Sequence, residues 1–149
     1  MRYIPLMLLS VLALAACSSD PKDDPNLQIE KPVDQLYNAA ADAMEAGRYK
    51  EASRLFDEVE RQHPYSQWAT KAQLMSAYSA YQDDRYDEAV LSLDRFIELH
   101  PGSDDIDYAY YLKALSFYEQ ITDIARDQGL TQDALEALNT LITRFPDSE

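Results

Sequence analysis

Three stretches of the chain share one spacing. Glu51-Ala52 is followed by Phe56, Val59 and Pro64, Glu88-Ala89 by Leu93, Phe96 and Pro101, and Asp133-Ala134 by Leu138, Leu141 and Pro146. In each, a small residue, a large apolar residue four positions on and another three further fall on one helical face, and proline then stops the helix. A single helix cannot bury such a face, so a chain that repeats it must stack like units against one another. Five residues ahead of each alanine stands Gly47, Asp84 or Gly129, where a turn between two helices needs a residue that tolerates positive φ. Tyr49 and Tyr86 follow two residues later, with Thr131 at the third position.

From Pro64 to Pro101 is 37 residues and from Pro101 to Pro146 is 45, against a period of about 34 for the tetratricopeptide helix-turn-helix unit, which the pattern resembles. The expected fold is therefore all-α, a tetratricopeptide-repeat solenoid of antiparallel helix pairs. Its three repeats cover about 33–66, 67–103 and 104–149. Asp34 is the expected cap of the first helix, and Ser103, followed by Asp104 and Asp105, that of the third pair. Three residues separate Tyr81 from Asp84, but eleven separate the matching Tyr118 from Gly129. Because Phe117, Ile121, Ile124 and Ala125 keep a helical spacing, the expectation is a first helix prolonged by about two turns, not a loop. Solenoids close on a capping helix with a polar outer face. None follows Pro146, so the repeats are expected to continue beyond Glu149.

At the other end, Arg2 precedes an apolar run from Ile4 to Ala13, too short to span a bilayer as a helix but of the length of a secretion signal's apolar core. Leu14-Ala15-Ala16 then leads into Cys17, the single cysteine of the chain, and this resembles the bacterial lipobox. The resemblance implies cleavage after residue 16 and lipid on Cys17, with Ser18 matching the pattern passed on to the outer membrane. Three acyl chains would anchor firmly where one would be marginal. Residues 17–32, rich in charge and proline, cannot bury enough apolar surface to order themselves and read as a periplasmic tether.

Charge and motif content exclude several functions. Acidic residues outnumber basic ones 27 to 13, for a net charge of −14, which argues against nucleic acid and anionic membrane surfaces as partners. No calcium loop, phosphate-binding loop, nucleophile elbow or zinc-helix motif occurs. His63 and His100 precede the proline in successive repeats, where a histidine favours a helix C-terminus, and are read as structural, not as metal ligands. Trp68 is read as an inter-repeat packing residue. No catalytic residue, metal or cofactor is assigned beyond the covalent lipid on Cys17, and the chain is not expected to be an enzyme.

What the sequence does offer is eleven tyrosines. In the repeat register the first helices stack Tyr37, Leu74 and Tyr111 in one row, Ala41, Tyr78 and Leu115 in the next, and Met44, Tyr81 and Tyr118 in a third. These rows resemble the positions that line the concave, peptide-binding groove of tetratricopeptide arrays. Inter-repeat packing accounts equally well for any single tyrosine. A buried hydroxyl nevertheless needs a partner, so a row of half-exposed tyrosines suits an amphipathic wall. Lys71, at the groove edge, is the candidate contact for a terminal carboxylate.

The lipobox, the short acidic tether, the first repeat Gly47-Arg48-Tyr49-x-Glu51-Ala52-x-x-x-Phe56 and the run Asp107-Tyr108-Ala109-Tyr110-Tyr111-Leu112-Lys113-Ala114-Leu115 together resemble the BamD (ComL) family of outer-membrane assembly lipoproteins. Asp123-Ile124-Ala125-Arg126-Asp127-Gln128 extends the resemblance. It implies a lipid-anchored adaptor on the periplasmic face of the outer membrane. Its front repeats would bind targeting segments of unfolded outer-membrane β-barrel proteins. Its partners would be BamA and other Bam lipoproteins, held mainly through rear repeats that lie outside these residues. An alternative in the same fold class is a repeat lipoprotein that scaffolds a Tol-Pal or peptidoglycan-regulating complex. Such proteins usually carry an N-terminal coiled coil, and no such pattern lies between Cys17 and Val33. A cell-wall hydrolase would need a further catalytic domain.

Overall fold

Helix-forming stretches alternate with short polar breaks, and in the computed structural model each stretch is a helix. Residues 30–121 and 128–148 are described. The elements are α1 (Val33–Glu45), α2 (Tyr49–Gln62), α3 (Gln67–Gln82), α4 (Tyr86–Leu99), α5 (Ile106–Glu119) and α6 (Gln128–Arg144). The signal, the lipobox at Cys17 and most of the tether lie outside the described residues. Each helix packs on the next, and the first helices of successive pairs also touch, α1 with α3 and α3 with α5. The first helices thus line one side of an all-helical repeat stack, as the tetratricopeptide spacing requires.

The turns within the first two pairs are built alike. Gly47 has φ +72° and Asp84 φ +57°, the left-handed conformation that glycine adopts freely and aspartate tolerates. Around Gly47, its own N–H donates to the Met44 carbonyl at 3.0 Å and that of Arg48 to Ala43 at 2.9 Å. Around Asp84, the matching bonds run to Tyr81 at 3.1 Å and from Arg85 to Ala80 at 3.0 Å. These two bonds satisfy carbonyls that the helix end would leave unpaired, as in a Schellman motif.

The residues of the repeated pattern form the core of the first two pairs. Ala52, Ala89, Phe56, Val59, Leu93 and Phe96 are all fully buried. One apolar cluster gathers Leu36, Ala40, Ala43, Ala52, Phe56, Val59 and Ala72. A second gathers Leu74, Ala77, Leu93, Phe96, Ala109 and Leu112. Each cluster spans a pair and the first helix of the next, so neither of the first two pairs holds its core alone. Between α2 and α3 the buried Ser76 hydroxyl donates to the Asp57 carboxylate at 2.5 Å and lies 3.0 Å from the Ser53 hydroxyl. One repeat on, the same register is occupied by the Lys113 to Asp94 ion pair at 2.5 Å.

The histidines take equivalent places at helix ends, as their recurrence suggested. His63 and His100 cap α2 and α4, the first within 2.7 Å of the Lys31 carbonyl and the second 2.9 Å from Oε1 of Gln73. Trp68 packs against the first cluster, its ring 4.6 Å from that of Tyr37.

Four local expectations are corrected. The prolonged first helix of the third pair does not form: α5 stops at Glu119, where the Ile121 N–H turns back to the Tyr118 carbonyl at 3.0 Å. Residues 122–127 lie outside the described residues. Gly129 is not a turn residue but lies within α6, which spans Gln128–Arg144. Spacing from alanine alone could not register that. Asp34 sits in the first turn of α1 behind the N-cap Pro32, so it serves the helix dipole without capping. Ser103 accepts a 3.3 Å bond from the Asp105 N–H in the loop before α5, whose N-cap is Asp105.

Candidate functional site

On the side lined by first helices, the tyrosine rows take different positions. Tyr78 and Tyr81 of α3 are half-buried against the second core cluster. Tyr111 and Tyr118 of α5 are 44% and 59% exposed, and Leu115 between them is half-buried. Lys71 is exposed on the first turns of α3. Two of the expected wall residues belong to the packing instead. Leu74 is only 4% exposed, because α5 lays Ala109 and Leu112 over it. Tyr37 is wedged between Phe56, edge-on at 5.3 Å, and Trp68, and burial raises its hydroxyl pKa.

Tyr108, not singled out from the sequence, joins this face. It is 39% exposed, with its ring 6.3 Å from that of Tyr111. Its hydroxyl pKa is raised by burial first and then by Tyr78, Tyr111 and Tyr81. Tyr81 is raised by burial first, then by Glu119, Tyr111, Tyr78 and Asp84. The two helices thus bring hydroxyls from α3 and α5 within electrostatic reach of one another. At neutral pH the Tyr81 and Tyr108 hydroxyls remain protonated and can donate as well as accept. Extending the rows by one step, through Asp34, Lys71 and Tyr108, would have found Tyr108.

One end of the face is closed by Tyr86. Its ring stands edge-on to Tyr81 at 5.6 Å, and its hydroxyl donates to Asp84 at 2.8 Å. That hydrogen bond to a carboxylate is the first cause that pushes the Tyr86 pKa up to about 12. A cavity of about 530 Å³ opens between α5 and the end of α6, lined by Tyr108, Tyr111, Leu141, Ile142, Phe145 and Pro146 together with Asp107 and Ser148. Among the described residues no cluster of potential metal ligands occurs. What the face offers is apolar rings with polar tips on a rigid helical frame, suited to binding a peptide.

A family model described as YfiO, outer membrane lipoprotein, matches residues 29–149. The chain belongs to this family. It is 42% identical over 142 residues to the outer membrane protein assembly factor BamD of Caulobacter vibrioides, covering 95% of this chain and 47% of that protein. To the protein of the same name from Rickettsia prowazekii it is 38% identical, covering 99% of this chain and 58% of the relative. The corresponding protein of Neisseria meningitidis serogroup B is 34% identical, with 100% and 60% covered. The chain thus spans about half of the curated relatives it matches. The family match includes all six helices and every residue of the tyrosine face.

Proposed function

We propose that this chain acts in the assembly of outer-membrane β-barrel proteins, as a non-enzymatic adaptor anchored to the periplasmic face of the outer membrane by lipid on Cys17. The observation that carries this reading is the match of the whole repeat array to a family whose curated members are named for that assembly. The tyrosine face supplies a means. A terminal β-strand segment of an unfolded barrel alternates apolar and polar side chains. One face of it can lie on Tyr78, Tyr81, Leu115 and Tyr118 while tyrosine hydroxyls meet its backbone. Aromatic contacts contribute about 0.5–1.5 kcal/mol each beyond burial, which suits a transient client better than a permanent subunit. Lys71 can pair locally with a terminal carboxylate, because the acidic chain exerts no long-range pull on one. BamA and the other Bam lipoproteins are the proposed stable partners.

The test uses a synthetic peptide of alternating pattern that ends in an aromatic residue. Replacing Tyr78 and Tyr81 together by alanine should weaken binding about tenfold or more, the equivalent of about 1.4 kcal/mol, while circular dichroism shows the helices intact. A folded double variant that binds as well as the parent would remove the tyrosines from the site. Palmitate labelling should require Cys17, and equal labelling of Cys17→Ala would end the anchor proposal. Affinity capture from envelope extract should recover a large β-barrel protein; recovery of peptidoglycan-binding or Tol-Pal components alone would favour the other envelope role.

A further inference from the structure

The chain enters the first repeat through a residue that stands outside the hydrogen-bond ladder of α1. Lys31 precedes Pro32, and a residue before proline is pushed towards extended backbone. The ladder begins only at the Leu36 N–H, which donates to the Pro32 carbonyl at 3.1 Å, and the helix has no side-chain N-cap. Both backbone groups of Lys31 are met instead from the far end of α2. Its N–H donates to Oε1 of Gln62 at 2.9 Å, and its carbonyl lies 2.7 Å from Nε2 of His63. A carbonyl only accepts, so Nε2 of His63 carries the proton in this contact. Behind it, Nε2 of Gln62 donates to the Glu58 carboxylate, which leaves Oε1 facing Lys31. Arg61 donates to the same carboxylate at 2.7 Å.

The other two pairs use these positions differently. The repeat equivalents of Gln62 and His63 are Leu99 and His100, then Arg144 and Phe145. Leu99 is 55% exposed, and Nε2 of His100 lies 2.9 Å from Oε1 of Gln73 in its own pair. Arg144 donates to the Tyr110 hydroxyl at 2.8 Å, and Phe145 packs on the Tyr110 ring at 5.5 Å. Tyr110 and Gln73 are equivalent to Leu36, which is buried and offers no polar group. In the first pair the side chains at the end of α2 therefore turn to the incoming backbone. We infer that Gln62 and His63 form a latch that fixes the root of the N-terminal segment to α2 and withholds the Glu30–Lys31 peptide bond from proteases. Glu30 is exposed, and an exposed polar stretch at the edge of a domain is where nicking concentrates. A protease must draw the backbone around the scissile bond into its own cleft, so cleavage has to wait until the latch opens. With lipid on Cys17, that bond lies on the one covalent path between the membrane and the repeats.

The experiment is limited proteolysis of the full-length protein by a glutamate-specific endopeptidase, comparing the parent with the double variant Gln62→Leu, His63→Phe. These substitutions install the residues that the second and third pairs carry at the same places, Leu99 and Phe145, so the packing of the repeats is kept. Loss of the two hydrogen bonds should speed cleavage after Glu30 about tenfold. Exchange of the Lys31 amide, followed by nuclear magnetic resonance, should rise by a similar factor. Cleavage after Glu98, in α4, should not change. Equal rates after Glu30 in the two proteins would overturn the inference. So would an equal rise after Glu98, since the substitutions would then have loosened the whole array. Neither palmitate labelling nor peptide binding enters these readouts, so the latch and the proposed function can fail separately.

Discussion

The first two helix pairs and the third start from one sequence pattern and reach different degrees of closure. In the first two, the chain turns on a residue of positive φ, and the large apolar residue before the proline, Val59 or Phe96, has no exposed surface. In the third, α5 stops at Glu119, Gly129 is helical, and α6 buries only Ala134 and Ala137. The difference teaches that a repeat's core is completed by its neighbour. Phe96 is sealed because α5 covers it, while Leu141 holds the same position with nothing seated above it among the described residues.

The sharpest way to break this comparison is to empty equivalent positions. Phe96→Ala should cost about 3–5 kcal/mol, as for a fully buried aromatic residue. Leu141→Ala, at a half-buried position, should cost only about 1 kcal/mol. Urea unfolding of both variants checks this, and equal losses would mean that the third pair is as closed as the second.

Overfilling comes next. Ala52→Leu and Ala89→Leu, both fully buried between helices, should each cost about 1–3 kcal/mol. Glu60→Ala removes only a surface ion pair to Arg95 and should cost about 0.2–1 kcal/mol. A thermal melt that ranks Glu60→Ala worst would refute the register.

The two glycines then give opposite signs. A Cβ at Gly47 would meet nothing within 4 Å, so the cost of Gly47→Ala is the left-handed backbone alone, about 1–2 kcal/mol. Gly129→Ala, in a helix, should stabilise by up to about 1 kcal/mol. Destabilisation by both in chemical denaturation would return Gly129 to a turn.

The smallest effect is one of pH. A hydrogen bond from Arg61, at 2.7 Å from Nε, is the first cause that lowers the Glu58 pKa from 4.5 to about 2. A carboxylate with a lowered folded pKa contributes stability above its unfolded pKa and loses it as pH falls through the folded one. Glu58→Gln should therefore cost about 0.2–1 kcal/mol near neutrality, the range of an exposed pair. The difference from the parent should vanish as the pH falls from 4.5 to about 2. A difference that persists at the acid end would separate Glu58 from this pairing.

Much of the fold was legible because its determinants are local. Helical spacing, the prolines after His63 and His100, and the residues tolerant of positive φ at 47 and 84 act within one turn of chain, so the first two pairs, α1 to α4, fall inside the expected repeats 33–66 and 67–103. The end of α5 was not legible: Ile121 keeps a helical spacing, yet the backbone turns back at Tyr118. Spacing says which residues could share a face but not where hydrogen bonding stops.

For the tyrosine face, the sequence by itself determined which side chains recur on the first helices, since a register of 37 residues places Tyr78 and Tyr81 beside the row positions of α5. Only the tertiary structure decided which of them meet solvent. Leu74 and Tyr111 hold the same register, and one is sealed while the other is open, because burial on a repeat depends on the helix stacked above it. Tyr37 is taken up between Phe56 and Trp68 for the same reason. Exposure is a property of neighbours distant in the chain, and no spacing within one helix encodes it.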